Sequence, residues 1–210
     1  MINILCYGDS NTHGSMPMAH AADVRRFGPQ QRWPGILQAE LGAQYSVIEE
    51  GLPGRTSVFD DPISGAHKNG RLYLQPCLES HWPLDIIVLM LGVNDLKARF
   101  GLTPYDIACG AGALAAAVKA LTAAAGHPAR VLLVAPPPIL NTGWLEPMFA
   151  GGAEKSRALA PLFKAQAEGL GIGFLDAGTV ASVSPIDGIH FDAASHAALG
   201  RAVAARVRTL

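Results

Sequence analysis

The sequence predicts an α/β protein in which a five-stranded parallel sheet lies between two layers of helices, a three-layer α/β/α fold. Short apolar runs of strand length alternate along the chain with helical stretches, the pattern of a parallel sheet covered on both faces. The run Asp85–Leu91 is almost entirely apolar, as expected of a strand buried on both sides. At 210 residues, 50% of them hydrophobic, the chain fits one domain that spans residues 1–210.

Five strands and five helices are predicted in alternation. The strands are Ile2–Tyr7, Tyr45–Glu49, Asp85–Leu91, Arg130–Ala135 and Gly173–Asp176, and the helices are Trp33–Leu41, Leu72–His81, 104–125, Glu154–Gly169 and 193–208. The third helix has a clear start, because Thr103 can cap it, Pro104 suits its first position and Asp106 follows three residues after the cap. Five alternating strands favour the flavodoxin-like order 2-1-3-4-5 over a full dinucleotide-binding fold.

Charge and cysteine content exclude several classes of protein. The formal net charge is -1, and no cluster of Lys and Arg supplies a nucleic-acid footprint. The cysteines Cys6, Cys77 and Cys109 form no close pair, which favours buried thiols in a reducing compartment over disulfides or a zinc knuckle. The N-terminus lacks a signal-peptide pattern, and no apolar run approaches the ~20 residues of a membrane span. We therefore expect a cytoplasmic protein without nucleic-acid or membrane partners.

The first strand ends in the polar turn Gly8-Asp9-Ser10-Asn11. Ligands of open α/β sheets bind beyond the carboxyl ends of the strands. Ser10 should therefore lie at the rim of the sheet, where a backbone N–H can point at an anion. We predict that Ser10 is a nucleophile. The alternative is that Asp9 or Ser10 only caps the helix that follows, since both residue types are favoured there.

A second polar turn, Ser184–Phe191, lies between the last strand and the last helix. Acyl transfer through a serine requires a base for the hydroxyl proton and a carboxylate that orients this base. Asp187 and His190, three residues apart, can supply both, and imidazole titrates close to neutral pH, at ~6.5. The alternative is a pair of solvated loop residues.

Taken together, four turns that follow strands contain Ser10, Gly54, Asn94 and His190. This set resembles the SGNH hydrolases, also called the GDSL esterase family, whose signature residues are Ser, Gly, Asn and His. The resemblance covers the whole chain and implies an α/β/α hydrolase that needs no cofactor or metal. It implies Ser10 as nucleophile, His190 as general base and later acid, and Asp187 as orienting carboxylate. The N–H groups of Ser10 and Gly54 and the Asn94 amide are implied to form the oxyanion hole.

Physical properties of these residues agree with the implied roles. Gly54 leaves its N–H unshielded, and Asn94 offers an uncharged donor, although it could instead be a turn residue bonded to its own backbone. Asn11 stands where the family motif Gly-Asp-Ser-Leu has Leu, which leaves the nucleophile in place. Asp9 and Asp95 are expected to hold neighbouring loops by accepting backbone N–H bonds, because a buried carboxylate needs partners.

Two stretches, Glu50–Thr56 and Leu91–Lys97, look closest to the small oligomeric arylesterase/acyltransferase branch of that family. This likeness implies a homo-oligomer that acts on small short-chain esters, such as aryl or alkyl acetates, and can pass the acyl group to alcohols or peroxide. In the irregular segment 136–152, Trp144, Met148 and Phe149 are expected to line the acyl pocket or a subunit contact. The alternative is a loop that packs on its own core.

Two other functions remain open. A non-catalytic nucleotide-binding module of flavodoxin type would need a G-x-G-x-x-G pattern after the first strand, and Gly8 and Gly14 alone do not make one. A carbohydrate O-deacetylase could use the same three catalytic residues, and turnover of acetylated sugars against aryl acetates would distinguish it. The other histidines show no metal-ligand spacing among themselves, and His-Glu-x-x-His is absent, so no catalytic zinc is expected.

Overall fold

The computed structural model describes all 210 residues and contains one five-stranded parallel sheet of order β2-β1-β3-β4-β5. The strands are β1 (Ile2–Gly8), β2 (Tyr45–Gly51), β3 (Ile86–Met90), β4 (Arg130–Ala135) and β5 (Gly173–Asp176). Gly8, at the end of β1, pairs with Gly51 of β2 and with Met90 of β3. The predicted fold class and strand order are confirmed, and three strands end side by side at one edge of the sheet.

Helices cover both faces of the sheet. They are α1 (Ser10–His13), α2 (Trp33–Leu41), α3 (Gly70–His81), α4 (Pro104–Ala124), α5 (Gly152–Ser156), α6 (Leu159–Leu170) and α7 (Ala193–Val207). Side chains of β1 alternate between the two cores: Ile4 and Cys6 pack with α2 and α7, whereas Leu5 and Tyr7 pack with α3, α4 and α6. This double burial explains why the central strands β1, β3 and β4 are largely apolar, whereas the half-buried edge strand β2 also contains polar residues.

The predicted single helix Glu154–Gly169 is wrong, because the structure has two helices there. Helix α5 ends at Ser156, and α6 begins at Leu159. Pro161 lies in the first turn of α6, where its missing N–H costs nothing, whereas inside one continuous helix it would remove a hydrogen bond. The Ser156 hydroxyl accepts the Ile139 N–H at 3.0 Å and so ties α5 to the irregular segment.

Helix α4 begins as the sequence predicts, with a capping box between Thr103 and Asp106. The helix has 21 residues, and an 18-residue window within it has a mean hydropathy of 1.6, which by length and composition alone would suit a membrane span. The expectation that no apolar stretch reaches that length is therefore wrong. Half of the apolar window is buried inside the fold, where Ile107, Leu114 and Val118 belong to the core.

Candidate active site

Four loops meet beyond the carboxyl ends of the strands. Ser10 is the first residue of α1, directly after β1, and Asp9 caps this short helix by accepting the Asn11 N–H. Gly54 follows β2 and Asn94 follows β3. The fourth loop, which carries His190, immediately precedes α7. The capping role considered for Asp9 is therefore real, and it holds Ser10 at the helix start.

The structure brings Ser10, His190 and Asp187 into one buried hydrogen-bonded chain. The Ser10 Oγ lies 3.0 Å from His190 Nε2, and His190 Nδ1 lies 2.6 Å from Asp187 Oδ2. Asp187 also accepts the backbone N–H groups of Ile189, His190 and Met18. Burial opposes ionisation of Asp187, but the hydrogen bonds from His190 and Met18 outweigh it and hold its pKa below the usual value.

This arrangement suits proton transfer away from a hydroxyl. A carboxylate that stays ionised fixes the imidazole with Nδ1 protonated, which leaves Nε2 free to accept the Ser10 proton. Asp187 meets this requirement because four N–H donors surround it.

Asn11 joins the loop of Ser10 to the loop of His190. Its side-chain Oδ1 accepts the Phe191 N–H at 3.1 Å, and its Nδ2 donates to the Ile189 carbonyl at 3.0 Å. These two bonds flank His190 on both sides along the chain. The sequence pattern did not point to this role, because Asn11 appeared only as a departure from the family motif.

Two backbone N–H groups at the site, that of Ser10 itself and that of Gly54, have no acceptor within the protein. The N–H groups of Ser10 and Gly54 make no hydrogen bond, and Gly54 has φ of +82°, a conformation that glycine adopts easily. The Asn94 Nδ2 lies 3.5 Å from Asp9 Oδ2. Burial raises the pKa of Asp9 to about 6. The Asn94 amide has two N–H groups, so one of them, together with the N–H groups of Ser10 and Gly54, has no acceptor in the protein.

Asp95 holds the loop that carries Gly54. Its carboxylate accepts the backbone N–H of Ser57 at 3.0 Å and the Ser57 hydroxyl at 2.5 Å. The Arg55 guanidinium stacks 4.1 Å from the Tyr7 ring centroid and donates to the Gly8 carbonyl at 2.9 Å. These contacts fix the Gly54 loop against β1, and the loop-holding role expected of Asp95 is observed.

A small cavity of about 160 Å³ opens beside Ser10 and His190. Its lining includes the three predicted pocket residues Trp144, Met148 and Phe149. Five further lining residues were not predicted, namely Met18, Pro53, Lys97, Leu145 and Ile189. Pro53 directly precedes the predicted Gly54, whereas the other four reach the cavity only through the tertiary fold.

A cluster of possible metal ligands lies outside this cavity. Donor atoms of Glu50, Cys77 and His81 lie within 4.8 Å of one another, and His81 Nε2 lies 2.8 Å from a Glu50 oxygen. Cys77 and His81 are one turn apart on α3, so this spacing involves a cysteine and a single histidine and no pair of histidines. The cluster shares no residue with the cavity beside Ser10.

The parallel sheet, with these residues at its strand ends, defines the class as an SGNH-type hydrolase fold. The chain belongs to the GDSL-like lipase/acylhydrolase family, whose model matches residues 6–198. It is accordingly an ester hydrolase of that family, and this agrees with the resemblance inferred from Ser10, Gly54, Asn94 and His190.

Solved structures similar to this chain include several esterases. An aryl esterase from M. smegmatis is 43% identical, with a TM-score of 0.95 and all of both chains covered. A carbohydrate acetylesterase from Sinorhizobium meliloti is also 43% identical, with a TM-score of 0.95 over 100% of this chain and 99% of that one. A putative arylesterase from Agrobacterium tumefaciens is 41% identical, with a TM-score of 0.91 over 100% and 99%. The comparison with curated proteins gives no match.

Proposed function

We propose that the protein is a serine esterase that hydrolyses short-chain carboxylic esters, such as aryl or alkyl acetates, through an acyl-enzyme. Ser10 is the nucleophile, His190 the general base and then acid, and Asp187 the orienting carboxylate. The observation that carries this proposal is the hydrogen-bonded chain from Ser10 Oγ to His190 Nε2, 3.0 Å, and from His190 Nδ1 to Asp187, 2.6 Å.

In the proposed reaction, His190 takes the hydroxyl proton while Ser10 Oγ attacks the ester carbon. The carbonyl oxygen becomes an oxyanion that the N–H groups of Ser10 and Gly54 and the Asn94 amide stabilise. His190 then gives its proton to the leaving alcohol, and the acyl group stays on Ser10. Water, deprotonated by His190, attacks this acyl-enzyme, releases the acid and restores Ser10.

The size and lining of the cavity support a short acyl group. About 160 Å³ beside Ser10, walled by Leu145, Met148 and Phe149, leaves room for only a few carbon atoms. An alcohol or peroxide can replace water in the second step, because it needs only the same position and the same base. Acyl transfer is therefore part of the proposal.

A carbohydrate acetylesterase is the second candidate. The observation that favours it is the 43% identity over the full length to the carbohydrate acetylesterase from Sinorhizobium meliloti. Both candidates share every chemical step and differ only in the alcohol that leaves. Comparing kcat/KM for an acetylated sugar with that for p-nitrophenyl acetate separates them.

Replacing the nucleophile tests the proposal directly. Ser10→Ala should lower p-nitrophenyl acetate hydrolysis by roughly 10⁴-fold or more, because no other group forms the acyl-enzyme. A fluorophosphonate should label Ser10 in the native protein and leave the variant unlabelled. Ser80→Ala, on the exposed side of α3, is the matched control and should keep full turnover. Undiminished hydrolysis by purified Ser10→Ala would remove Ser10 from the mechanism.

We also propose a homo-oligomer, as the likeness to the arylesterase/acyltransferase branch implies. Leu140, Trp144 and Ile186 are exposed large apolar side chains, and Trp144 also lines the cavity. Apolar surface of this kind is what subunit contacts bury. Light scattering of the purified protein tests this, and a mass equal to a single chain would contradict it.

A further inference from the structure

Lys97 lines the cavity beside Ser10 and carries a buried ammonium group. Apart from His190, it is the only residue with a basic or acidic side chain in a lining that is otherwise largely apolar. Lys97 is 5% exposed, and its Nζ makes one hydrogen bond, to Asp61 Oδ2 at 3.2 Å. An ammonium carries three N–H donors, so two of them have no partner in the protein.

The carboxylate of Asp61 does not serve Lys97 alone. It also accepts Arg99 Nη1 at 3.0 Å and the backbone N–H groups of Ile63 and Ser64. Two cations therefore share one fully buried carboxylate. The acidic residue nearest to Lys97 in the sequence, Asp95, is engaged with Ser57. The Lys97 ammonium thus has fewer acceptors than N–H donors, and it shares its one carboxylate partner, Asp61, with Arg99.

Unused donors of a buried cation favour a ligand that brings an acceptor. Burying N–H donors without an acceptor costs free energy, and a ligand atom that accepts from them removes this cost. Gly54, Asn94 and Lys97 all line the same cavity. The atoms next to a carbonyl oxygen held in the predicted oxyanion hole therefore lie in a cavity that Lys97 also lines.

We propose that Lys97 is a specificity-determining residue that binds an oxygen acceptor of the substrate next to the scissile ester. The enzyme then selects esters with an ether, hydroxyl or carboxylate oxygen at that position over hydrocarbon analogues of the same length. The acceptor can belong to the acyl or the alcohol part, and the chemistry of recognition is the same. This inference rests on the proposed esterase function.

Matched pairs of esters test this selectivity. In the acyl arm, 4-nitrophenyl methoxyacetate is compared with 4-nitrophenyl butanoate, and in the alcohol arm, 2-methoxyethyl acetate with butyl acetate. Each kcat/KM is divided by the rate constant of hydroxide hydrolysis, because an ether oxygen activates an ester by itself. We expect the corrected ratio to favour the ether about tenfold or more in at least one arm, mainly through KM. Lys97→Met should bring that ratio close to one.

Arg99→Met is the matched control. It also leaves Asp61 with a single cation, but Arg99 does not line the cavity, so the corrected ratio should stay at the wild-type value. If Lys97→Met does not fold, the double variant Asp61→Asn/Lys97→Met removes both charges of the pair, and its ratio decides instead.

Three results would overturn the inference: no ether preference in either arm, an unchanged ratio without Lys97, or an equal loss in Arg99→Met. These outcomes are distinguishable from failure of the esterase proposal. Hydrolysis that depends on Ser10 but shows no role for Lys97 removes only the inference, whereas hydrolysis that persists in Ser10→Ala removes the proposed function.

Discussion

Asn11 shows how much a single side chain can contribute to the geometry of the site. Its amide links two backbone groups, at Ile189 and Phe191, that lie close to 180 positions away in the chain. The residue is buried, so water cannot replace these bonds. The position of His190 against Ser10 therefore depends on a neighbour of the nucleophile as well as on Asp187.

Asn11→Leu should separate this positioning role from simple packing. Leucine has the same number and branching of side-chain heavy atoms, but it leaves the buried N–H of Phe191 and the carbonyl of Ile189 without partners. A small displacement of His190 should then lower kcat for p-nitrophenyl acetate by roughly 10- to 100-fold. Asn11→Asp, which keeps an acceptor for the Phe191 N–H, should lose less. Equal kcat values for Asn11→Leu and the wild type would contradict the role.

Residues of the site differ in whether a local sequence pattern is enough to predict them. Ser10, Asp187 and His190 lie in short polar motifs next to strands or helices, so local patterns sufficed to find them. Asn11 and Met18 bond to residues about 170 to 180 positions away, and Lys97 belongs to the site only as a residue of the cavity lining. No local pattern encodes such contacts, because they exist only after the sheet has brought both ends of the chain together.

At the scale of elements, strands were the easier prediction. The central strands β1, β3 and β4 are short apolar runs that are mostly buried, and β4 and β5 match their predicted bounds. The break between α5 and α6 was missed because the helical periodicity continues across it. What separates the two helices is tertiary: Ser156 at the end of α5 bonds to Ile139, a contact that the apolar pattern does not contain.

The capping box of α4 offers a test at this scale. The Thr103 hydroxyl accepts the Asp106 N–H at 3.2 Å, and the Asp106 carboxylate accepts the Thr103 N–H at 3.0 Å. Thr103→Ala should lower the free energy of unfolding by about 1 kcal/mol, as measured by urea denaturation. Turnover of p-nitrophenyl acetate is the internal control, since the cap is not part of the cavity. An unchanged urea midpoint would show that the cap contributes nothing.

The whole molecule places its chemistry where the strand order reverses. The chain leaves β1 towards β2 on one side and returns to β3 on the other, and such a switch point opens a crevice at the carboxyl ends of the strands. Ser10 follows β1 and Asn94 follows β3, so these residues flank that crevice. The order 2-1-3-4-5, predicted from the number of strands, thus explains the position of the site as well as the fold.

Two carboxyl groups and two histidines should have opposite effects on the way in which the stability of the whole molecule changes with pH. Burial raises the pKa values of Asp9 and Asp95 to about 6 and lowers those of His13 and His196 to about 4. The folded state therefore holds extra protons on the carboxyls between about pH 4 and 6, so their contribution to stability falls as pH rises. The unfolded state holds extra protons on the histidines between about pH 4 and 6.5, so their contribution falls as pH decreases.

Replacing His196, one of the two histidines, should show that the carboxyl and histidine contributions to stability cancel in the wild type. His196 is fully buried, packs against Phe27 and Phe191, and accepts the Trp33 N–H through Nδ1. For the wild type we expect a nearly flat free energy of unfolding between pH 6.5 and 4.5, measured by urea denaturation. His196→Gln should be less stable at pH 7, but its deficit should shrink as pH falls, because only the wild type loses the contribution of a neutral His196. The exposed His127→Gln should follow the wild type throughout. A deficit of His196→Gln that stays constant from pH 7 to 4.5 would mean that His196 is protonated equally in both states.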